Sequence, residues 1–147
     1  MGYFSSLDIS ATGLTAQRLR MDIISQNIAN AETTRNENGQ PYRRKLVIFE
    51  EKSQNTSFSQ YLNASSKEKI AGNGVRVSNI VEDPSPLKKI YNPGHPDADV
   101  DGYVSMPNVD VLTEMINMIS ATRSYEANVT AIDTTKSMAM KALEIGR

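Results

Sequence analysis

The densest concentration of chemically capable side chains in the chain is Asp97-Ala98-Asp99-Val100-Asp101-Gly102. Carboxylates at the first, third and fifth positions with glycine at the sixth resemble the opening half of a calcium loop, in which oxygen ligands converge on a hard cation. The twelfth position is Asn108, where such a loop needs a bidentate Glu, and Asn92-Pro93-Gly94-His95-Pro96 cannot form the helix that would enter it. The run therefore reads as a solvated acidic turn whose Asp side chains brace local backbone amides. His95, the one histidine, lies between Gly94 and Pro96 without companion ligands for zinc. Ser5, Ser6 and Ser105 are hydroxyls with no base in view to activate them. Arg43-Arg44-Lys45 beside Tyr42 would suit phosphate, but Glu50 and Glu51 balance the charge, which favours a solvated strand edge. No catalytic residue, cofactor site or metal site is assigned, and the chain is not expected to be an enzyme.

Composition points the same way. The 147 residues include 16 Lys+Arg and 17 Asp+Glu, a net charge of -1, so bulk electrostatics draw the chain neither to nucleic acid nor to an anionic membrane. Cysteine is absent, which removes disulfides, thiol nucleophiles and thiolate metal sites together and leaves the chain free to cross an oxidising compartment without mispairing. The first residues lack the basic and apolar regions of a secretory signal, so no cleavable signal is expected. No run approaches the roughly 18 apolar residues of a membrane span. Gly2 and Ser6 fit the myristoylation pattern formally, but two aromatics follow the glycine and no polybasic patch supports a weak anchor. With 6% aromatics, no Trp and a middle rich in Ser, Asn, Lys and Glu, the composition suits an elongated or partly disordered molecule better than a dense globule.

Two long elements dominate the pattern. Over residues 108–147 an apolar stripe recurs at alternating spacings of four and three, through Val111, Met115, Met118, Thr122, Tyr125, Val129, Ile132, Lys136, Ala139 and Leu143. One column of it, Val111, Met118, Tyr125, Ile132 and Ala139, carries no charge. Asn108 or Asp110 would cap the start, Glu114 suits the positive end of the helix dipole, and Gly146 would close the end. Such a helix is about 50 Å long, more than a compact domain of this size is wide, and needs a partner along its length. Residues 5–31 form a second amphipathic helix: Leu7, Leu14, Met21 and Ile28 repeat every seven residues, Ala11 and Ile24 widen the stripe, and Gly13 permits close approach of another backbone. Ile9, Ala16 and Ile23 make another apolar column off that stripe.

Between the helices the chain reads as a small β-containing insert. Residues 33–41 are a polar turn, residues 42–50 a strand dense in β-formers, residues 51–74 a loop, residues 75–81 a half-exposed strand and residues 87–91 one more. The expected plan is a mainly α protein in three parts: residues 1–31 and 108–147 as the helices of an inner assembly domain, and residues 32–107 as the insert. The stripes suit either an intramolecular hairpin or packing between chains. A hairpin of two unequal helices would leave Leu112, Ile116 and Ile119 uncovered, and exposed stripes of that length invite other chains. The alternative is a soluble α+β binding module with a cation-binding acidic turn.

Specific strings sharpen this. Ser25-Gln26-Asn27-Ile28-Ala29-Asn30-Ala31 resembles the N-terminal signature of bacterial flagellar rod, hook and hook-associated proteins. Tyr91-Asn92-Pro93-Gly94-His95-Pro96-Asp97-Ala98-Asp99-Val100-Asp101-Gly102-Tyr103-Val104, followed by Pro107-Asn108-Val109-Asp110, resembles the region before the last helix in basal-body rod proteins. Met115-Ile116-Asn117-Met118-Ile119-Ser120-Ala121-Thr122-Arg123-Ser124-Tyr125-Glu126-Ala127-Asn128 is similar to the C-terminal motif of these flagellar axial proteins. The resemblance implies a structural subunit of the proximal rod, exported through the flagellar type III apparatus. Its neighbours would be other rod subunits, copies of itself and the adaptor at the rod base. It further implies terminal helices that pair as a coiled-coil-like hairpin in an inner tube around the export channel. On that reading Leu7, Leu14, Met21 and Ile28 pack against Val111, Met118, Tyr125, Ile132 and neighbouring subunits, while Gln26, Asn27 and Asn30 fix register.

Overall fold

The structure, a computed structural model, describes residues 3–52 and 74–145, with side chains from Ser5 onward. The expected loop over 51–74 therefore falls almost wholly outside the described residues, as do Gly2 and Gly146. The element order is α1 (Tyr3–Ala29), β1 (Lys45–Glu51), β2 (Val75–Glu82), β3 (Lys88–Tyr91), β4 (Tyr103–Met106) and α2 (Val111–Ile145). The architecture is mainly α: two long helices at the ends and two small antiparallel sheets between them.

Each helix starts or stops where side chains satisfy its orphan backbone groups. At the start of α2 it is Asp110 that caps: its carboxylate accepts the Thr113 hydroxyl at 2.5 Å, and its carbonyl takes the Glu114 amide at 2.9 Å. The Thr113 hydroxyl, followed by the amides of Thr113 and Leu112, holds the Asp110 carboxyl below the usual range against its own desolvation. Asn108, the other candidate cap, is used elsewhere. At the end of α1, Asn30 donates from both its amide, at 3.1 Å, and its Nδ2, at 2.9 Å, to the carbonyl of Gln26, sealing the last turn.

Strands β1 and β2 pair antiparallel from Lys45 opposite Glu82 to Glu51 opposite Val75, with an irregularity between Ile48 and Phe49. Strands β3 and β4 pair from Lys88 opposite Met106 to Tyr91 opposite Tyr103. The strand β4 has no counterpart in the sequence reading; at four residues between Gly102 and Pro107 it is too short to show an alternation, and exists because β3 is there to pair with it.

Helix α1 is the sandwiched element. It packs against α2 along one face and against the β1–β2 hairpin on another. The contacts Gly13 with Asn128, Met21 with Thr122 and Asn27 with Glu114 run in opposite directions along the two helices, so the pair is antiparallel. The buried apolar residues are Ala16, Ile23, Ile24, Tyr42, Val104, Val109 and Ala121. They gather where the insert meets the helix pair, so the core lies at that end and not at the chain ends.

Candidate assembly surface and the joint that carries it

Where insert and helices meet, the buried side chains are polar. Glu114 and Asn27 are each 1% exposed. Arg44 reaches Oε1 of Glu114 from Nε at 3.0 Å and Nη2 at 2.6 Å, and Asn27 Nδ2 donates to its Oε2 at 3.0 Å. Asn27 uses every site it has: Nδ2 also donates to the Lys45 carbonyl at 2.9 Å, and Oδ1 accepts the Tyr42 hydroxyl and the Lys45 amide, both at 2.9 Å. One amide side chain thereby ties α1 to the start of α2 and to the backbone entering β1. Burial, then the charges of Glu114 and Glu82, push the Tyr42 hydroxyl above its usual pKa, which keeps it a donor.

A second tier surrounds this joint. Asn108 Oδ1 accepts the Arg44 amide at 2.9 Å, and its Nδ2 donates to the carbonyls of Asp83 and Ser85, both at 3.2 Å. Asp83 pairs with Arg44 at 3.4 Å, and the hydroxyl and amide of Ser85, with Arg44 behind them, hold its carboxyl below the usual range. Arg44 was legible only as part of a basic run and Glu114 only as a charge suited to the helix dipole. Neither can be read from hydropathy as buried, because their burial depends on each other.

Along the helix pair the facing positions mix small, polar and large apolar side chains. On α2 they are Glu114, Met118, Ala121, Tyr125, Asn128, Ile132, Thr135 and Ala139, all buried or partly so. On α1 they include Gly13, Met21 and Asn27, which meet Asn128, Thr122 and Glu114, and Ala121 is wholly buried. A Cβ on Gly13 would come within 2.9 Å of Asn128 Oδ1, so the close approach expected there is made to an Asn side chain. Leu7, Leu14, Met21 and Ile28 are each partly buried, as are Met118, Tyr125 and Ile132, whereas Val111 is 41% exposed. Gln26 is exposed, Asn27 is the centre of the joint, and Asn30 bonds within its own helix.

A second set of apolar side chains on α2 points away from α1. Leu112 is 72% exposed, Ile116 68% and Ile119 54%, with Met115 beside them. The same column continues through Arg123, Glu126, Thr130, Asp133 and Ser137, all exposed and polar, before Met140, which joins exposed Met138, Leu143 and Ile145. The exposed surface of α2 thus carries two apolar patches, one near each end, separated by a polar waist about 32 Å long from Ile119 to Met140.

The acidic turn does not converge on a cation. Asp97 accepts the Thr34 hydroxyl at 2.8 Å and lies 3.8 Å from Arg35, linking the turn to the segment after α1. Asp99 Oδ1 takes the Val100 amide at 2.9 Å. His95 Nδ1 accepts the Asp97 amide at 3.1 Å, so it has no proton on that nitrogen to offer the Asp97 carboxylate. Among the described residues no group of three or more His, Asp or Glu side chains could hold a metal.

A mainly α chain whose ordered polar joint holds a small insert, and whose long last helix displays its apolar residues outward, is built to meet other chains. Residues 7–35 match the family described as flagella basal body rod protein, and residues 100–145 match the flagellar basal body rod FlgEFG protein C-terminal family. The chain is 55% identical to the flagellar basal-body rod protein FlgC of Bacillus subtilis (strain 168), over 100% of both chains. It is 49% identical to FlgC of Borreliella burgdorferi, over 99% of this chain and 98% of that one. With FlgC of Escherichia coli O6:H1 it shares 42% identity over 100% of both. The chain belongs to the FlgC family of flagellar basal-body rod proteins.

Proposed function

We propose that this chain is a structural, non-enzymatic subunit of the proximal part of the flagellar basal-body rod. It assembles with copies of itself, with other rod subunits and with the adaptor at the rod base. The single observation that carries the reading is the pair of separated exposed apolar patches on α2. Their position matters because the intramolecular seam is already filled by other side chains of the two helices, leaving the patches for neighbours. Two non-equivalent patches on one chain make heterologous contacts, and such contacts propagate as a helix or tube unless they close.

On this reading residues 1–31 and 108–147 pair as a coiled-coil-like hairpin in the inner wall around the export channel, and residues 32–107 lie further out. The partly exposed Leu7, Leu14, Met21, Ile28, Val111, Met118, Tyr125 and Ile132 then divide their surface between the partner helix and adjacent subunits, and many modest contacts along stiff helices transmit torque. Export runs through the flagellar type III apparatus without a cleavable signal.

Because the chain has no cysteine, single introduced thiols report contacts cleanly. In cells lacking their own FlgC-type subunit, Ile116→Cys and Met140→Cys are expected to cross-link to neighbouring rod subunits in isolated basal bodies, whereas Glu126→Cys at the waist does not. Failure of the chain to enter basal bodies, or equal cross-linking at all three positions, would overturn the reading.

A further inference from the structure

The joint at Asn27 has a counterpart at the other end of the β1–β2 hairpin. Thr12 Oγ1 accepts the amide of Val75, the first residue of β2, at 3.2 Å while donating to the Ile9 carbonyl at 2.7 Å. Gly74, just before it, has φ +79, and a Cβ there would overlap Thr12 Oγ1, so only glycine lets the strand come this close. The Gly74 carbonyl in turn takes the amide of Lys52, at the end of β1, at 3.0 Å. The hairpin is therefore bonded to α1 at both ends, at Asn27 through Lys45 and at Thr12 through Val75.

The two spacings match. From Thr12 to Asn27 is fifteen helical steps, about 22 Å at a 1.5 Å rise. From Lys45 to Lys52 is seven extended steps, about 23 Å at roughly 3.3 Å each. A strand and a helix are commensurate over few lengths, and here the polar pins fall at one of them. Between the pins, Ala16 is buried and Thr15 and Leu19 face Val75 and Val77 across a shallow apolar groove.

We propose that Thr12 and Asn27 are positioning residues that clamp the β1–β2 hairpin lengthwise onto α1, so that the hairpin splints the helix. The inference rests on the rod reading for its purpose: a splinted α1 gives α2 a rigid backing, and the apolar patches of α2 are then presented at a fixed separation. Both pins act through backbone groups of the hairpin. Each is needed because one pin alone would leave the hairpin free to swing about it.

Thr12→Val keeps the shape and removes the hydroxyl; Thr12→Ser keeps the hydroxyl and removes the methyl. Hydrogen exchange of the purified chain, read on the peptide covering residues 75–82, is expected to accelerate about five- to tenfold in Thr12→Val, as for loss of one part-buried hydrogen bond. It should stay near wild type in Thr12→Ser, and Gly74→Ala should behave like Thr12→Val. Colony spread in soft agar, in cells carrying each variant as their only FlgC-type subunit, should follow the same order. Unchanged exchange in Thr12→Val, an equal effect of Thr12→Ser, or no protection of the peptide in the wild-type chain would each overturn the clamp. Failure of the wild-type chain itself to restore motility would instead count against the rod reading and leave the exchange result to decide the clamp.

Discussion

Removing Arg44 tests how the insert is held to the helices. Glu114, 1% exposed, receives the guanidinium at 2.6 and 3.0 Å on Oε1, Asn27 at 3.0 Å on Oε2 and Asn117 at 3.3 Å on Oε1. In Arg44→Ala the carboxylate stays buried with two amide donors and no counter-charge. Breaking one side of a buried pair costs about 3–5 kcal/mol. The remaining amides, and the 22% exposure of the Arg44 side chain that lets water reach the vacated space, set the expectation at about 2–3 kcal/mol. For a chain of this size that is a drop of roughly 5–10 °C in Tm, read by circular dichroism. The double variant Arg44→Met with Glu114→Met removes both charges and should recover most of the loss, since a paired buried charge contributes little net stability while an orphaned one costs much. An Arg44→Ala chain that melts within about 1 °C of wild type, or a double variant no better than the single, would refute this reasoning.

Two further outcomes follow from the same geometry. Oε1 of Gln17 is buried without a hydrogen-bond partner, so Gln17→Leu should raise stability by about 1 kcal/mol in urea unfolding, by removing an unsatisfied acceptor. The Asp83 carboxyl is held below the 3.8 of a free aspartate by Ser85 and then Arg44, so its contribution is present above 3.8 and is lost as pH falls through the lowered value. Ser85→Ala should therefore be less stable than wild type at neutral pH, with the difference shrinking as acid titration protonates Asp83.

The two helices were legible because their periodicity runs uninterrupted for many turns, and residues 42–50 and 75–81 because β-formers cluster there; β1 begins three residues late, since Tyr42 and Arg44 are drawn into the joint. The face that α2 turns to α1 was harder. The strongest apolar column beside Met118 and Tyr125 in the sequence runs through Met115, Thr122 and Val129, but of these only Thr122 touches α1, and the structure buries Glu114 and Ala121 and sets Asn128 against Gly13. Hydropathy ranks an Ala, an Asn and a Glu below a Met and a Val, yet a close antiparallel approach favours small residues such as Gly13 against Asn128, and the Glu is admitted by Arg44 and Asn27. The same cause leaves Leu112, Ile116 and Ile119 uncovered, as pairing of two unequal helices implies. Sequence pattern shows that a side chain is apolar; it does not show whether its partner belongs to the same chain.

The most direct measurement places one charge on each side of α2. Ala121→Asp, at a wholly buried position, should unfold the chain. Ile119→Asp, 54% exposed, should leave the melting curve within about 0.5 kcal/mol of wild type yet abolish recovery of the chain in isolated basal bodies. An Ile119→Asp chain that folds and enters rods as wild type does would contradict the claim that the outward apolar face of α2 is where neighbouring subunits bind.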